Sequence, residues 1–274
     1  IGGAQRWLDL GLIQFQPVEV LKFSLIIVVS HFLDQKKQKL SRYMYSIVPM
    51  MCLLTIPLLF VFLQPDLGNS VLIIVVCFSL LFLSKIPLLH VLSMLSLGVI
   101  GFITSIFSNP YQMQRIQNFL NPFDDPLGKN YHIIQSFIAI GSGGLSGLGM
   151  GESKMKYFYL PLQYSDFIYA IICEEGGFIL AFIVLILFFT IFFKGYQIAK
   201  RTKTDFRFNV CMGLTLMIVI QAFLNIGVVI GILPVTGIPL TFISFGGTSL
   251  ISSLFYIGII IHLSKYSFQK DYEI

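Results

Sequence analysis

Long apolar runs decide what this chain can become. Seven can be drawn, near residues 16–33, 46–63, 68–84, 87–107, 166–193, 208–231 and 242–263. Their lengths sit at or near the roughly 17–25 residues that a helix needs to cross a bilayer. Backbone in lipid must pair its own polar groups, which leaves helices or closed barrels. Barrel strands alternate polar and apolar residues, whereas these runs are continuous. The expected fold is therefore an all-α polytopic membrane protein with seven transmembrane helices. Composition agrees: 11% of residues are charged, against about a quarter in soluble domains, and mean hydropathy is +0.85.

One polar interruption, about Asn109 to Asp166, is far longer than a connection requires. Loops of that length are usually functional or disordered. This one carries Phe119, Phe123, Tyr131, Phe137, Tyr157, Phe158 and Tyr159, enough aromatic surface to fold onto the bundle. It divides the chain into four helices with an outer N-terminal segment (1–107), a large extracytoplasmic loop (108–165), and three helices with a cytoplasmic tail (166–274).

Lys and Arg orient the bundle, because basic residues collect in cytoplasmic loops. DQKKQKLSRY follows the first run, Lys85 the third, KGYQIAKRTKTDFR the fifth, and Lys265 and Lys270 lie in the tail. These loops account for most of the 18 basic residues, and no nucleic-acid partner is expected. Acids gather on the other side: Asp9, Glu19, Asp66, Asp124, Asp125, Glu152, Asp166, Glu174 and Glu175 lie on or open toward the outer half. Acidic groups are costly to keep near lipid and mark a site. The cysteines stand singly, without metal or disulfide spacing. The chain starts at Ile1, which suggests that upstream sequence is missing.

The motifs have local physical readings. In QPVEVLK, Pro17 suits a helix first turn, and Glu19 and Lys22, three apart, share a face. They read either as a packing ion pair or as a polar patch on a cavity wall. Asp66 in QPDLG is placed to cap the next helix. In NPFDDPLGKNYH, prolines and a glycine hold Asp124 and Asp125 in a bend, where a carboxylate serves as general base, as a cation ligand, or as a solvated turn acid. GSGGLSGLGMG is neither a Walker loop nor a dinucleotide fingerprint. Its six glycines allow close backbone approach in a re-entrant or interfacial turn. Arg6, Arg115, Lys129, Lys154 and Lys156 form an outer basic set suited to a pyrophosphate. Asp166 opens the fifth span with Glu174 on roughly the same side, and Ser244 lies in a glycine- and proline-rich break before the last one.

Taken in order, GAQRW, QPxExxK, QPDLG, NPxxDPxG…Y…QS…AIGSGG, LP…DFIYA…EE and GILPVTGIPL…FISFGG resemble the SEDS family of bacterial shape, elongation, division and sporulation proteins, FtsW and RodA among them. The resemblance implies a ten-span bundle with three spans upstream of this chain. It implies polymerisation of lipid II, the undecaprenyl-pyrophosphate disaccharide-peptide, into peptidoglycan outside the bacterial inner membrane. The family's catalytic aspartate falls on Asp125 and its buried pair on Glu19 and Lys22. Arg6, Lys129, Lys156, Asp166, Glu174 and Ser244 are the further substrate-binding candidates. A divalent cation (Mg2+ or Mn2+), a class B penicillin-binding protein and other divisome or elongasome membrane proteins are implied. The family usually reads LPExHTDF, where this chain has Leu162, Tyr164 and Ser165 before Asp166. The first motifs and DPLGKNYHIIQS look like the RodA branch, whereas the spacing from Gly149 to Leu160-Pro161 looks more like FtsW, so the resemblance spans both branches with FtsW slightly favoured. Two other functions fit the same charges: a lipid II flippase, and a scaffold with impaired catalysis.

Overall fold

The computed structural model describes residues 6–9, 11, 14–40, 42–64, 66–84, 86–108, 110–126, 128, 130–155 and 165–268. Nine α-helices are described: α1 (Pro17–Gln35), α2 (Tyr43–Leu63), α3 (Leu67–Leu83), α4 (Leu88–Ser108), α5 (Pro110–Leu120), α6 (Tyr131–Gly143), α7 (Ile168–Lys200), α8 (Asp205–Val229) and α9 (Gly247–Phe268). Every apolar run became a helix. Of these, α2, α7, α8 and α9 are long and apolar enough to cross a membrane; α3 and the apolar part of α4 are shorter. The chain is a multi-pass membrane protein.

α8 is the axis. It packs against α7, α1, α3 and α9, and 78% of its apolar window is buried, so it reaches lipid least. Its residues Leu214, Met217, Ile218 and Ala222 interlock with Ile26 of α1 and Leu72, Ile73 and Leu80 of α3 in one core. α2 and α4 lie outside this centre and keep broad apolar faces exposed, as with Phe60, Leu63, Leu89 and Phe107. A soluble protein would not tolerate that much exposed apolar surface; lipid covers it.

Local chemistry sets the helix ends. Pro17 begins α1, where its missing N–H costs nothing. Asp66 caps α3 as expected, accepting from the Asn69 backbone N–H (3.2 Å) and from its side-chain amide (2.8 Å). Two strands, Leu8–Asp9 and Gln14–Phe15, form an antiparallel pair before α1. Arg6 fastens this hairpin to the α2–α3 turn by donating to the Gln64 carbonyl (3.1 Å).

Three boundaries differ from expectation. α7 starts at Ile168 and continues to Lys200, well past residue 193. α9 starts at Gly247, because residues 241–245 form turns before it. The long outer loop is largely helical, with α5 and α6 inside it.

α7 is also broken. Gly177 has φ 63° and ψ −167°, outside helical space. In an unbroken helix Phe178 and Ile179 would donate to the carbonyls of Glu174 and Glu175. Here Phe178 donates to Gly144 (2.9 Å) and Ile179 to Leu145 (3.2 Å). The freed carbonyls of Glu174 and Glu175 accept from Leu148 (2.9 Å) and Gly149 (3.0 Å). The glycine-rich segment is thus spliced into the helical ladder, and these four backbone groups keep partners. A Cβ on Gly143 would overlap the Cys173 carbonyl, which is why glycine is required at this crossing.

Candidate active site

Two polar centres stand out, one inside the bundle and one at the end where α5 and α6 lie. The first joins α1, α8 and α9. Lys22 Nζ donates to Glu19 Oε1 (2.6 Å) and to Gln221 Oε1 (3.3 Å). Gln221 Nε2 donates to the Pro239 carbonyl (3.2 Å) and to Ser249 Oγ (3.2 Å). The Tyr256 hydroxyl donates to the Glu19 carbonyl (3.2 Å). Lys22 and Glu19 are 1% and 5% exposed, so their charges neutralise each other in place. The cluster ties α1 to the chain's last helices.

The second centre sits where α5, α6, the start of α7 and the loop before α9 converge. A cavity of about 340 Å³ is lined by Gln114, Arg115, Asn118, Asn130, His132, Ile133, Phe167 and Val235. Gln114 and Asn118 are four apart on α5 and therefore share a face. Arg115 donates to the Val235 carbonyl (3.0 Å). Asn130, 1% exposed, donates through Nδ2 to the Asn121 carbonyl (3.1 Å), while its buried Oδ1 has no partner among the described residues. The His132 ring stacks on Phe167 (6.0 Å between centroids, 25° between planes), and its Nδ1 is likewise unpartnered.

Asp166 borders this centre. Burial raises its carboxyl above the ordinary range, opposed by the Ser165 hydrogen bond and by the charges of Arg115 and His132. Burial lowers His132, opposed by Asp166. The backbone around Asp166 is clamped: Asn225 Nδ2 donates to the carbonyls of Asp166 (2.7 Å) and Ile238 (2.8 Å). Ser244 Oγ donates to the Ser165 carbonyl and accepts from the Leu240 N–H (2.7 Å). Beside Ser244, Phe242 has φ 66°, a left-handed conformation for a bulky residue. Such strain costs about 1–3 kcal/mol and persists only where neighbours over-determine it.

The remaining candidates separate. Asp125 lies on the exposed turn between α5 and α6, its carboxyl folded against Gly128, where a Cβ would collide with it. Asn130, bonding back to Asn121, closes that turn and also forms part of the cavity wall, so the Asp125 turn borders the second centre. Among the described residues, the hydrogen bonds of Glu19 and Lys22 run to α8 and α9 and not to Asp125. Glu174, 1% exposed, accepts from Ser153 Oγ and from the Lys154 N–H (3.1 Å), which fixes the end of the glycine-rich segment. Arg6 and Arg115 are held at carbonyls of two different loops. Lys129, Lys156 and Leu162 lie outside the described residues. Among the described residues, no three His, Cys, Asp or Glu side chains gather to hold a metal ion. Mg2+ needs no such cluster, since it is usually held by one or two carboxylates together with substrate phosphates and water.

Sequence reading passed over Gln221 and Asn225. The available signal was two amides four residues apart in an otherwise apolar span, hence on one face. Polar side chains in such a place are there to bond across helices.

Fold and site together define a polytopic helical membrane protein with a buried charge pair and a polar cavity where α5, α6 and the start of α7 meet. The profile of the FtsW/RodA/SpoVE family, described as "Cell cycle protein", matches residues 1–269, and the chain belongs to that family. It is 38% identical to stage V sporulation protein E of Bacillus subtilis, over 97% of this chain and 72% of that one. It is 39% identical to peptidoglycan glycosyltransferase MrdB of Escherichia coli K12, over 95% and 71%. It is 34% identical to a probable peptidoglycan glycosyltransferase FtsW of a Geobacter species, over 96% and 71%. Among solved structures it resembles a peptidoglycan synthase complex chain (TM-score 0.79, 26% identity, 98% of this chain and 75% of that one). It also resembles the rod shape determining protein RodA of Thermus thermophilus (TM-score 0.66, 25% identity, 97% and 70%).

Proposed function

We propose that this chain is a peptidoglycan glycosyltransferase that joins lipid II units into glycan strands on the outer face of a bacterial inner membrane. The carrying observation is the family match over residues 1–269, with relatives named for that activity at 34% and 39% identity. Seven spans of a ten-span bundle, and the outward placement of the loop, belong to the same reading.

Asp125 acts as general base. Its carboxylate takes the proton from the acceptor sugar hydroxyl, and that oxygen bonds to the donor's anomeric carbon. The bond from that carbon to the diphosphate breaks on the opposite face, and the polyprenyl diphosphate leaves with the electron pair. No nucleotide is required, because the leaving group is already activated. The exposed turn suits a base that must meet a substrate arriving from the membrane surface. A Mg2+ or Mn2+ ion would be held largely by the diphosphate and water, with at most one or two carboxylates, and would offset the charge of the departing group. A class B penicillin-binding protein is the expected partner, which the likeness to a synthase complex supports, together with other divisome or elongasome membrane proteins.

The test is polymerisation of lipid II by the purified protein with its partner. Asp125→Asn is expected to lower the rate by about 10²–10⁴-fold, the usual contribution of a positioned base, with folding intact. Polymer made by Asp125→Asn at the unaltered rate removes Asp125 from this role. Lipid II carried across vesicles without polymer formation replaces the enzyme with a transporter.

A further inference from the structure

The cavity between α5 and α6 has the wrong chemistry for a diphosphate. A diphosphate offers acceptors and needs donors and positive charge. Among the described residues the cavity brings one cation, Arg115, which is already bonded to the Val235 carbonyl, and Asp166 sits beside it. Its wall also holds an acceptor that nothing among the described residues satisfies. Because Asn130 Nδ2 donates to the Asn121 carbonyl, the buried unpartnered atom must be Oδ1. A buried acceptor without a partner costs about 1–3 kcal/mol, and what relieves it is a hydroxyl or an amide N–H. Gln114 and Asn118 each add a donor and an acceptor from half-buried positions on one helix face. His132 and Phe167 supply an aromatic wall.

Size narrows the ligand further. A volume of about 340 Å³ lies at the lower end of the roughly 300–1,000 Å³ typical of small-molecule sites. It takes one ring with its substituents, not a disaccharide with its peptide. We propose that this cavity is a subsite for a single uncharged, amide-bearing sugar ring, held by Gln114, Asn118 and Asn130 against His132 and Phe167. The identity of the molecule that delivers the ring rests on the glycosyltransferase reading; the subsite itself rests on the cavity. Asn130 belongs both to this wall and to the turn that carries Asp125. A ring seated here is therefore registered against that carboxylate, and the subsite acts in placing the sugar rather than in the chemistry.

The experiment is saturation-transfer NMR on the full-length protein in detergent. N,N′-diacetylchitobiose is the uncharged probe and inorganic pyrophosphate the competitor. The acetamido and ring protons are expected to receive saturation that excess pyrophosphate does not displace. The double variant Gln114→Leu/Asn118→Leu, chosen because both side chains are half-buried and its melting temperature can be checked, is expected to lose that signal. In lipid II polymerisation it is expected to raise KM at least about fivefold, as loss of one or two hydrogen bonds implies, with kcat little changed. Absence of saturation in the unaltered protein, displacement by pyrophosphate, or a correctly folded double variant with unchanged binding and KM overturns the subsite. A protein that makes no polymer yet binds the disaccharide through these residues overturns the glycosyltransferase reading and leaves the subsite standing.

Discussion

Lys22 on α1 reaches Gln221 on α8, 199 residues away, at 3.3 Å while holding Glu19 at 2.6 Å. Removing one member of a buried pair strands the other charge, at a cost of about 3–5 kcal/mol. Lys22→Met keeps the length and removes the cation, so Glu19 is left unneutralised beside Tyr256 and the core. The variant is expected to unfold in detergent at clearly lower denaturant concentration than the unaltered protein. The double variant Glu19→Gln/Lys22→Met is expected to recover most of that loss, because no uncompensated charge remains. Denaturant titration followed by tryptophan fluorescence and circular dichroism reads both. Equal stability in the single and double variants would mean that the pair is wet and not neutralised by contact.

The splice at Gly177 makes a different kind of demand. Its φ of 63° with ψ −167° is open to glycine and strained for other residues. A Cβ there would also lie 2.5 Å from the Leu145 carbonyl oxygen. Gly177→Ala is expected to cost more than the roughly 1–3 kcal/mol of the backbone term alone, because the glycine-rich segment must also withdraw. Hydrogen exchange localises the damage: the amides of Leu148, Gly149, Phe178 and Ile179 should lose protection together, while those of α8 keep theirs. Uniform loss across the bundle would show instead that the splice is not a separable unit.

The contrast between α8 and α7 shows what could be read from sequence and what could not. Both are long apolar runs, and length against bilayer thickness places both as helices. The capping by Asp66 and the glycine-driven close approach at 141–151 were also legible, since each depends on a few adjacent residues. The break in α7 was not. Glu174-Glu175-Gly176-Gly177 lies inside a run whose hydropathy reads as continuous, and what stabilises the break is a segment about thirty residues earlier. The cavity was invisible for the same reason. Its walls come from α5, α6, Phe167 and Val235, which no local pattern joins. Of the candidate residues, Asp125 was correctly set in a bend by its flanking prolines and Gly128. Glu174 looked like a partner of Asp166 only on the assumption that one helix carried both, and α7 begins after Asp166.

His132 gives the second centre a pH dependence with a definite sign. Burial lowers its folded-state pKa below the ordinary histidine value, and Asp166 only partly opposes this. A histidine with a depressed folded pKa contributes stability that is fully present above its unfolded value. That contribution is lost as pH falls through the folded value, because the unfolded chain binds the proton more readily. The protein should therefore lose thermal stability on acidification below about pH 6.5, the unperturbed histidine value, and His132→Gln should lose less over the same interval. Asp166 titrates with the opposite slope: its raised pKa means that stability it contributes when protonated is lost as pH rises through its folded value. Asp166→Asn should accordingly leave the loss near pH 6 in place and flatten the curve at lower pH. Melting temperatures of the three proteins between about pH 4 and 8 separate the two groups, and an acid loss as large in His132→Gln as in the unaltered protein would assign the transition to another residue.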